Sequence, residues 1–208
     1  MLWAGIAALP TLDPAPTGRP TCYRCLRPQR CCVCGSIQPV DHRTPVVVVQ
    51  HPRERRHPFG TVRLARLGLR RVRVHVASRG ADGLTRCPPC APAGAVLLYP
   101  TPDALPIDAL PRPPAALVVV DGTWSTAHKL VRDNPWLAAL PTVRLAPPRP
   151  GRYRIRRAPR PAVQLSTIEA IALALIALEP DNERLTALLA AFDDMVEHQL
   201  ALEHHHRR

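Results

Sequence analysis

Leu117-Val-Val-Val-Asp121-Gly-Thr-Trp124-Ser-Thr-Ala-His-Lys-Leu-Val-Arg-Asp-Asn134-Pro135 passes from one kind of regular structure into another. Leu117–Val120 is a short, continuous apolar run, the signature of a buried strand. Ser125–Asn134 predicts a helix, and Pro135 stops it because proline lacks an N–H and clashes with the preceding turn. Between them lies a carboxylate at the strand's C-terminal end, followed by glycine. That is where α/β folds place ligand sites. Gly122 lets a ligand approach the backbone, and Thr123 and Ser125 can cap the helix. Asp121 has two readings here, as a site residue or as another cap.

The same alternation extends in both directions. Val46–Val49 is a β-branched run that reads as a strand buried on both faces. Thr61–Leu69 carries apolar residues at helical spacing, with Gly68 near its end. Val72, Val74 and Val76 alternate with Arg71, Arg73 and His75, which predicts a half-exposed strand. Ala95–Tyr99 predicts another short strand. Thr167 to about Leu178 is almost wholly apolar, so that helix should be buried. A final amphipathic helix is expected over about Asn182–Leu202. Strands alternating with helices indicate an α/β fold with a mostly parallel sheet and flanking helices. Residues 1–20 hold four prolines and read as a mobile lead-in. Residues 21–44 read as a compact cysteine knuckle, 45–203 as one catalytic-size domain, and 204–208 as a tail to which no function is assigned.

Composition narrows the class. The 26 prolines in 208 residues are more than twice the usual ~5%, while hydrophobics at 46% and charges at 21% are ordinary for a globular chain. Disorder is therefore excluded, and 4% aromatics leave few rings for a base-stacking sheet. The net charge is +12, and it is segregated: residues 1–160 carry 25 basic and 8 acidic side chains, whereas 161–208 carry 3 and 8. Such separation suits a polyanionic partner. The arginine-for-lysine bias is partly what a GC-rich genome produces. No apolar run reaches the ~18–20 residues of a membrane span, and the N-terminus lacks the basic region of an export signal. Seven cysteines without such a signal predict a reducing, cytoplasmic setting.

Four of those cysteines have metal-ligand spacing. Cys22-x2-Cys25 and Cys32-x-Cys34 supply four thiolates within thirteen residues, and Zn²⁺ favours four soft ligands in a tetrahedron. Cys31 can stand in for Cys32, and buried thiols without metal are the plainer alternative. Cys87-Pro-Pro-Cys90 can complete a site with Cys22 and Cys25, act as a redox pair, or be idle; idle or auxiliary is the preferred reading. Two arginine-rich stretches point to nucleic acid rather than a merely solvated surface. Arg53–Arg73 has eight arginines and one acid; Arg144–Arg160 has seven and none. Arg152-Tyr153-Arg154-Ile155-Arg156-Arg157 adds a ring that can stack on a base. Ser166-Thr167-Ile168-Glu169 is a capping-box pattern before an apolar helix.

Taken in order, these pieces resemble the DTW-domain family. The matching residues are Cys22-x-x-Cys25 with Cys32-x-Cys34, Gln50-His51-Pro52-x-Glu54, Arg63-Leu64-Ala65 and Leu97-Leu98-Tyr99-Pro100. Then come Asp121-Gly122-Thr123-Trp124-x-x-Ala127, Tyr153-x-x-Arg156-Arg157 and Ser166-Thr167-x-Glu169-Ala170. The resemblance covers about residues 21–180. One departure is Gly60-Thr61-Val62, where the family usually has Asn-Thr-Gly. The resemblance implies a SPOUT-like fold with a C-terminal trefoil knot. It also implies tRNA-uridine aminocarboxypropyltransferase activity with S-adenosylmethionine as donor and tRNA as partner, in the bacterial members on a variable-loop uridine. Asp121 would be the general base. Leu97–Pro100, Gly122, Thr123, Trp124, Ser166, Thr167 and Glu169 would wall the donor pocket. Arg63, Arg154, Arg156 and Arg157 would contact RNA, and zinc would be structural. A SPOUT-type methyltransferase and a non-catalytic zinc-knuckle RNA-binding protein are the other readings.

Overall fold

The computed structural model describes residues 20–146, 151–152 and 165–206. In chain order the strands and helices are β1 (Val46–Gln50), α1 (Val62–Gly68), β2 (Val72–Val76), β3 (Ser78–Arg79) and β4 (Thr85–Arg86). There follow β5 (Val96–Leu98), β6 (Leu105–Pro106), β7 (Leu117–Asp121), α2 (Trp124–Asp133) and α3 (Pro135–Ala138). Last come β8 (Thr142–Arg144), α4 (Thr167–Leu178) and α5 (Ala187–His206). Among the described residues, six strands form one sheet in the order β2-β1-β7-β5-β8-β6, and every neighbouring pair is parallel. The expected α/β class is therefore observed. β3 and β4 form a separate antiparallel hairpin.

The central strands explain their own sequences. β1 is buried along its whole length because helices cover both faces of the sheet. Val46 and Val48 of β1, with Leu117 and Val119 of β7, face the core beneath α1, α4 and α5. Val47, Val49 and Val118 face a second core beneath α2 and α3, closed by Leu130 and Leu137. β2 lies at the sheet's edge, and its apolar–polar alternation fits that position. Helix α4 is the central helix of the first face, with Ile168, Ile171, Ala172, Ala174 and Leu175 fully buried. Each such large aliphatic chain contributes about 1.5–3 kcal/mol when removed from water.

The structure departs from the sequence reading at element ends. Helix α2 begins at Trp124, one residue early, because Thr123 is its N-cap and accepts a hydrogen bond from the Thr126 N–H. Pro135 ends α2 but also starts α3, where it sits at the first turn and its missing N–H costs nothing. The final helix is not continuous from Asn182. A 3-10 turn at Glu183–Thr186 precedes α5 and places Leu185 fully in the core, a common arrangement at helix starts. The β3–β4 hairpin, β6 and β8 leave no mark in the sequence, since two or three residues carry no period. The expected knot involves the chain between β8 and α4, and residues 147–150 and 153–164 lie outside the described residues.

Candidate functional site

The parallel register of β1 and β7 sets Gln50 directly beside Asp121 at the C-terminal edge of the sheet. Asp121 is 6% exposed. Its two carboxylate oxygens are held separately. The Gln50 Nε2–H donates to Oδ2 at 2.9 Å, and the Thr167 hydroxyl donates to Oδ1 at 2.6 Å. Thr167 is the first residue of α4, so the carboxylate ties two strand ends to the start of the most buried helix. Its backbone carbonyl also accepts from the His51 N–H. Thr123, and not Asp121, caps α2. The capping reading of Asp121 is thereby removed.

The residues around it have distinct placements. A Cβ on Gly122 would come within 2.4 Å of the Thr126 hydroxyl. The space a side chain would need at this glycine is therefore held by the first turn of α2. Trp124 is 48% exposed and its ring centroid lies 6.5 Å from that of Tyr99, tilted by 50°. The Tyr99 hydroxyl pairs with His128 Nδ1 at 3.4 Å, and burial pushes its phenol pKa up. Leu98 and Tyr99 are half-buried and Pro100 is exposed beside this ring pair, whereas Leu97 is fully buried. Leu97 therefore packs the second core and presents no side-chain surface.

The capping box before α4 is complete. Ser166 Oγ accepts from the Glu169 N–H, and Glu169 accepts from the Ser166 N–H at 2.8 Å. Glu169 is only 3% exposed and also accepts from the Arg152 N–H at 2.7 Å. Arg152 in turn reaches Asp193 of α5 at 2.5 Å. Glu169 thus holds the Arg152 backbone against the start of α4. Tyr153, Arg154, Arg156 and Arg157 lie outside the described residues. Arg63 is tied inward: its guanidinium donates to the carbonyls of Cys25, Leu26 and Arg55 at 3.3, 3.5 and 2.9 Å. Burial lowers its pKa, and it joins the cysteine knuckle to α1.

Cys22, Cys25, Cys32 and Cys34 converge, with all four sulfurs within 4.8 Å of one another. Cys22 Sγ is 3.7 Å from Cys34 Sγ, and Cys25 Sγ is 3.8 Å from Cys32 Sγ. A tetrahedron with Zn–S bonds of ~2.3 Å has sulfur–sulfur edges of about 3.8 Å, so the cluster has the dimensions of a four-thiolate zinc site. Cys31 is buried but outside the cluster, so Cys32 and not Cys31 completes the four-thiol group. Cys87 is also outside it, in the core beneath α2, where its N–H donates to Asn134 Oδ1 and its carbonyl accepts from the Trp136 indole. Burial pushes the Cys87 thiol up and the Cys90 thiol up to about 12, so neither is an activated thiolate. Gln50 belongs to a sequence motif that by itself assigns it no role. Its partner lies 71 positions away, and only strand pairing reveals the contact.

Similarity to other proteins follows the same frame. A family model described as DTW domain matches residues 19–200. A protein of Macaca fascicularis, "tRNA-uridine aminocarboxypropyltransferase 2", is 31% identical across 88% of this chain and 64% of its own length. A protein of the same name from Mus musculus is 32% identical across 79% of this chain and 58% of its own. The Drosophila melanogaster protein of that name is 28% identical across 97% of this chain and 84% of its own. The chain thus spans roughly three fifths of the length of the macaque and mouse relatives. No solved structure is significantly similar. The family match begins just before the knuckle and ends within α5, so it takes in both cores and the strand ends at Asp121. On that extent, the chain belongs to the DTW-domain family.

Proposed function

We propose that this protein is a tRNA-uridine aminocarboxypropyltransferase. It moves the 3-amino-3-carboxypropyl group of S-adenosylmethionine to N3 of a tRNA uridine in the variable loop. The observation that carries the reading is a buried carboxylate, Asp121, aimed by Gln50 and Thr167 at the C-terminal edge of a parallel sheet. The names of the relatives supply the reaction class. Uridine N3 forms a bond to the γ-carbon of the methionine chain. The bond from that carbon to the sulfonium breaks, and its electron pair stays on sulfur as neutral 5′-methylthioadenosine. The N3 proton passes to Asp121 and then to solvent. A sulfonium is already an activated leaving group, so the protein's work is orientation and proton removal.

The remaining residues take supporting parts in this reading. Leu98, Tyr99, Pro100, Thr123 and Trp124 border the donor site, with Ser166 and Glu169 fixing the start of α4. The cysteine cluster holds a structural Zn²⁺, and its tightness supports that assignment. Arg154, Arg156 and Arg157 contact tRNA phosphates. Their joint replacement by alanine should weaken tRNA binding and flatten its salt dependence by roughly 0.7–0.9 per lost contact, read from affinities at several salt concentrations. The protein is expected to act in the cytoplasm. Incubation with S-adenosylmethionine and unmodified tRNA, followed by nucleoside mass analysis, tests the reaction. Aminocarboxypropyl-uridine with methylthioadenosine is the expected pair. A methylated nucleoside with S-adenosylhomocysteine would replace this reading with methyl transfer.

A further inference from the structure

A cavity of about 230 Å³ opens on the face of the sheet covered by α2, opposite the Asp121 carboxylate. It lies between the end of β1, helix α2 and the β3–β4 hairpin. Its walls include His51, Arg53, Arg79, Thr126, Lys129 and Arg132. Asp133 is the one carboxylate in the lining, and it is already neutralised. It accepts from Arg132 Nε at 2.8 Å and Nη2 at 2.7 Å, and from the Thr85 N–H at 2.9 Å. Arg53, Arg79 and Lys129 form no ion pair among the described residues. Within the hairpin the Arg79 side chain folds back beside the turn: the place a Cβ on Gly83 would take is 3.6 Å from Arg79 Nη2. Positive charges of three separate elements thus converge on one concave space.

His51 is the residue they surround. Its Nδ1 accepts from the Arg53 N–H at 3.3 Å, which leaves Nε2–H as the donor of the neutral ring. Burial, then the charges of Arg53, Lys129 and Arg79 against the opposing pull of Glu54, hold its pKa below 6.5. A neutral donor among cations suits an oxyanion. Arginine and lysine at a mouth of this size are the usual pair for a phosphate. Eight of its ten lining residues are polar or charged, and none is a Phe, Tyr or Trp that could stack on a base or an adenine. We infer that this cavity seats a backbone phosphate of the RNA substrate, gripped by Arg79 and Lys129 with His51 donating to the same group. The inference rests on the proposal that the substrate is a tRNA. It gives the RNA a fixed point one residue along the chain from Gln50, on the other side of the sheet's edge from the carboxylate. The target N3 lies on the uridine's pairing edge, so the nucleotide must be unpaired when it reacts. A phosphate anchored this close restricts where an unpaired nucleotide can go.

The test uses the full chain with its zinc and labelled tRNA, with affinities measured by anisotropy over a range of salt. The double substitution Arg79→Ala with Lys129→Ala should weaken binding several-fold and make the salt slope shallower by about 0.7–0.9, the loss of one phosphate contact. Arg112→Ala with Arg184→Ala removes the same charge from exposed positions outside the cavity and outside both arginine-rich stretches. A cavity variant that melts like wild type and matches this control in slope would overturn the inference. Lys129→Gln alone changes an exposed side chain, so its salt slope decides the question if the double variant does not fold. Nucleoside product from the wild type is measured alongside. A Lys129-dependent slope without aminocarboxypropyl-uridine would refute the reaction and keep the phosphate site. Product with an unchanged slope would do the reverse.

Discussion

At the scale of single residues, Asp121 and Glu179 show how the same group serves two ends. Asp121→Asn keeps an oxygen for the Thr167 hydroxyl, and rotating the Gln50 amide keeps the second bond. Its melting temperature should stay near wild type while single-turnover transfer from labelled S-adenosylmethionine falls by roughly 10²–10⁴-fold. Near-normal transfer in a folded variant would take Asp121 out of the mechanism. Glu179 is structural. Its carboxylate accepts from the Arg43 N–H at 2.9 and 3.0 Å and from the Thr44 N–H at 2.7 Å. Burial alone would raise its pKa, but these donors outweigh it, and the net displacement is below the ordinary 4.5. A depressed carboxyl stabilises the fold above its ordinary value and loses that contribution as pH falls through the lower, folded one. Glu179→Gln should therefore lower stability at neutral pH by about 1–3 kcal/mol and flatten the acid-side decline between about pH 5 and 3, read from melts across pH. The aspartate was legible as a motif. Its partners were not, because Gln50 and Thr167 reach it only through strand pairing and helix docking.

At the scale of elements, legibility followed length and burial. The four-valine run announced β1 because a strand covered on both faces needs no polar alternation. Helix α4 was readable from its apolar content and its Ser–Glu capping pattern, and the structure completes that box. Two-residue strands such as β3 and β6 exist only through their neighbours, so nothing local marks them. The strand-to-helix turn at Gly122 was visible in the sequence, but the reason for its glycine was not. Because a Cβ there would meet the Thr126 hydroxyl at 2.4 Å, Gly122→Ala should push α2 off the strand end. Overpacking of this kind costs about 1–3 kcal/mol. A drop in melting temperature, with transfer reduced beyond what the stability loss explains, is the expected result. An unchanged melt would mean that Thr126 simply rotates away.

At the scale of the molecule, the knuckle and the sheet domain behave as one body. Val33, Ile37 and Val40 enter the same core as α4 and α5, and Arg63 fastens α1 to knuckle carbonyls. Metal loss should therefore be felt beyond the cysteines. Cys22→Ser, or exhaustive chelation, should remove about one zinc per chain and lower the melting temperature of the whole protein. Elemental analysis finding no zinc in reduced, active protein would reject the metal. The four-cysteine cluster and the charge segregation could be read from sequence because both are local in the chain; the basic cavity could not, since its lysine and arginines come from separate elements. Distance along the chain has one more effect, visible at Asp121. Its carboxylate is positioned by residues 50 and 167, so no short segment contains the site. Such long-range parallel pairings form slowly and late. During refolding, helix content should return well before transfer activity, and activity should appear only with the last closure of the sheet against α4.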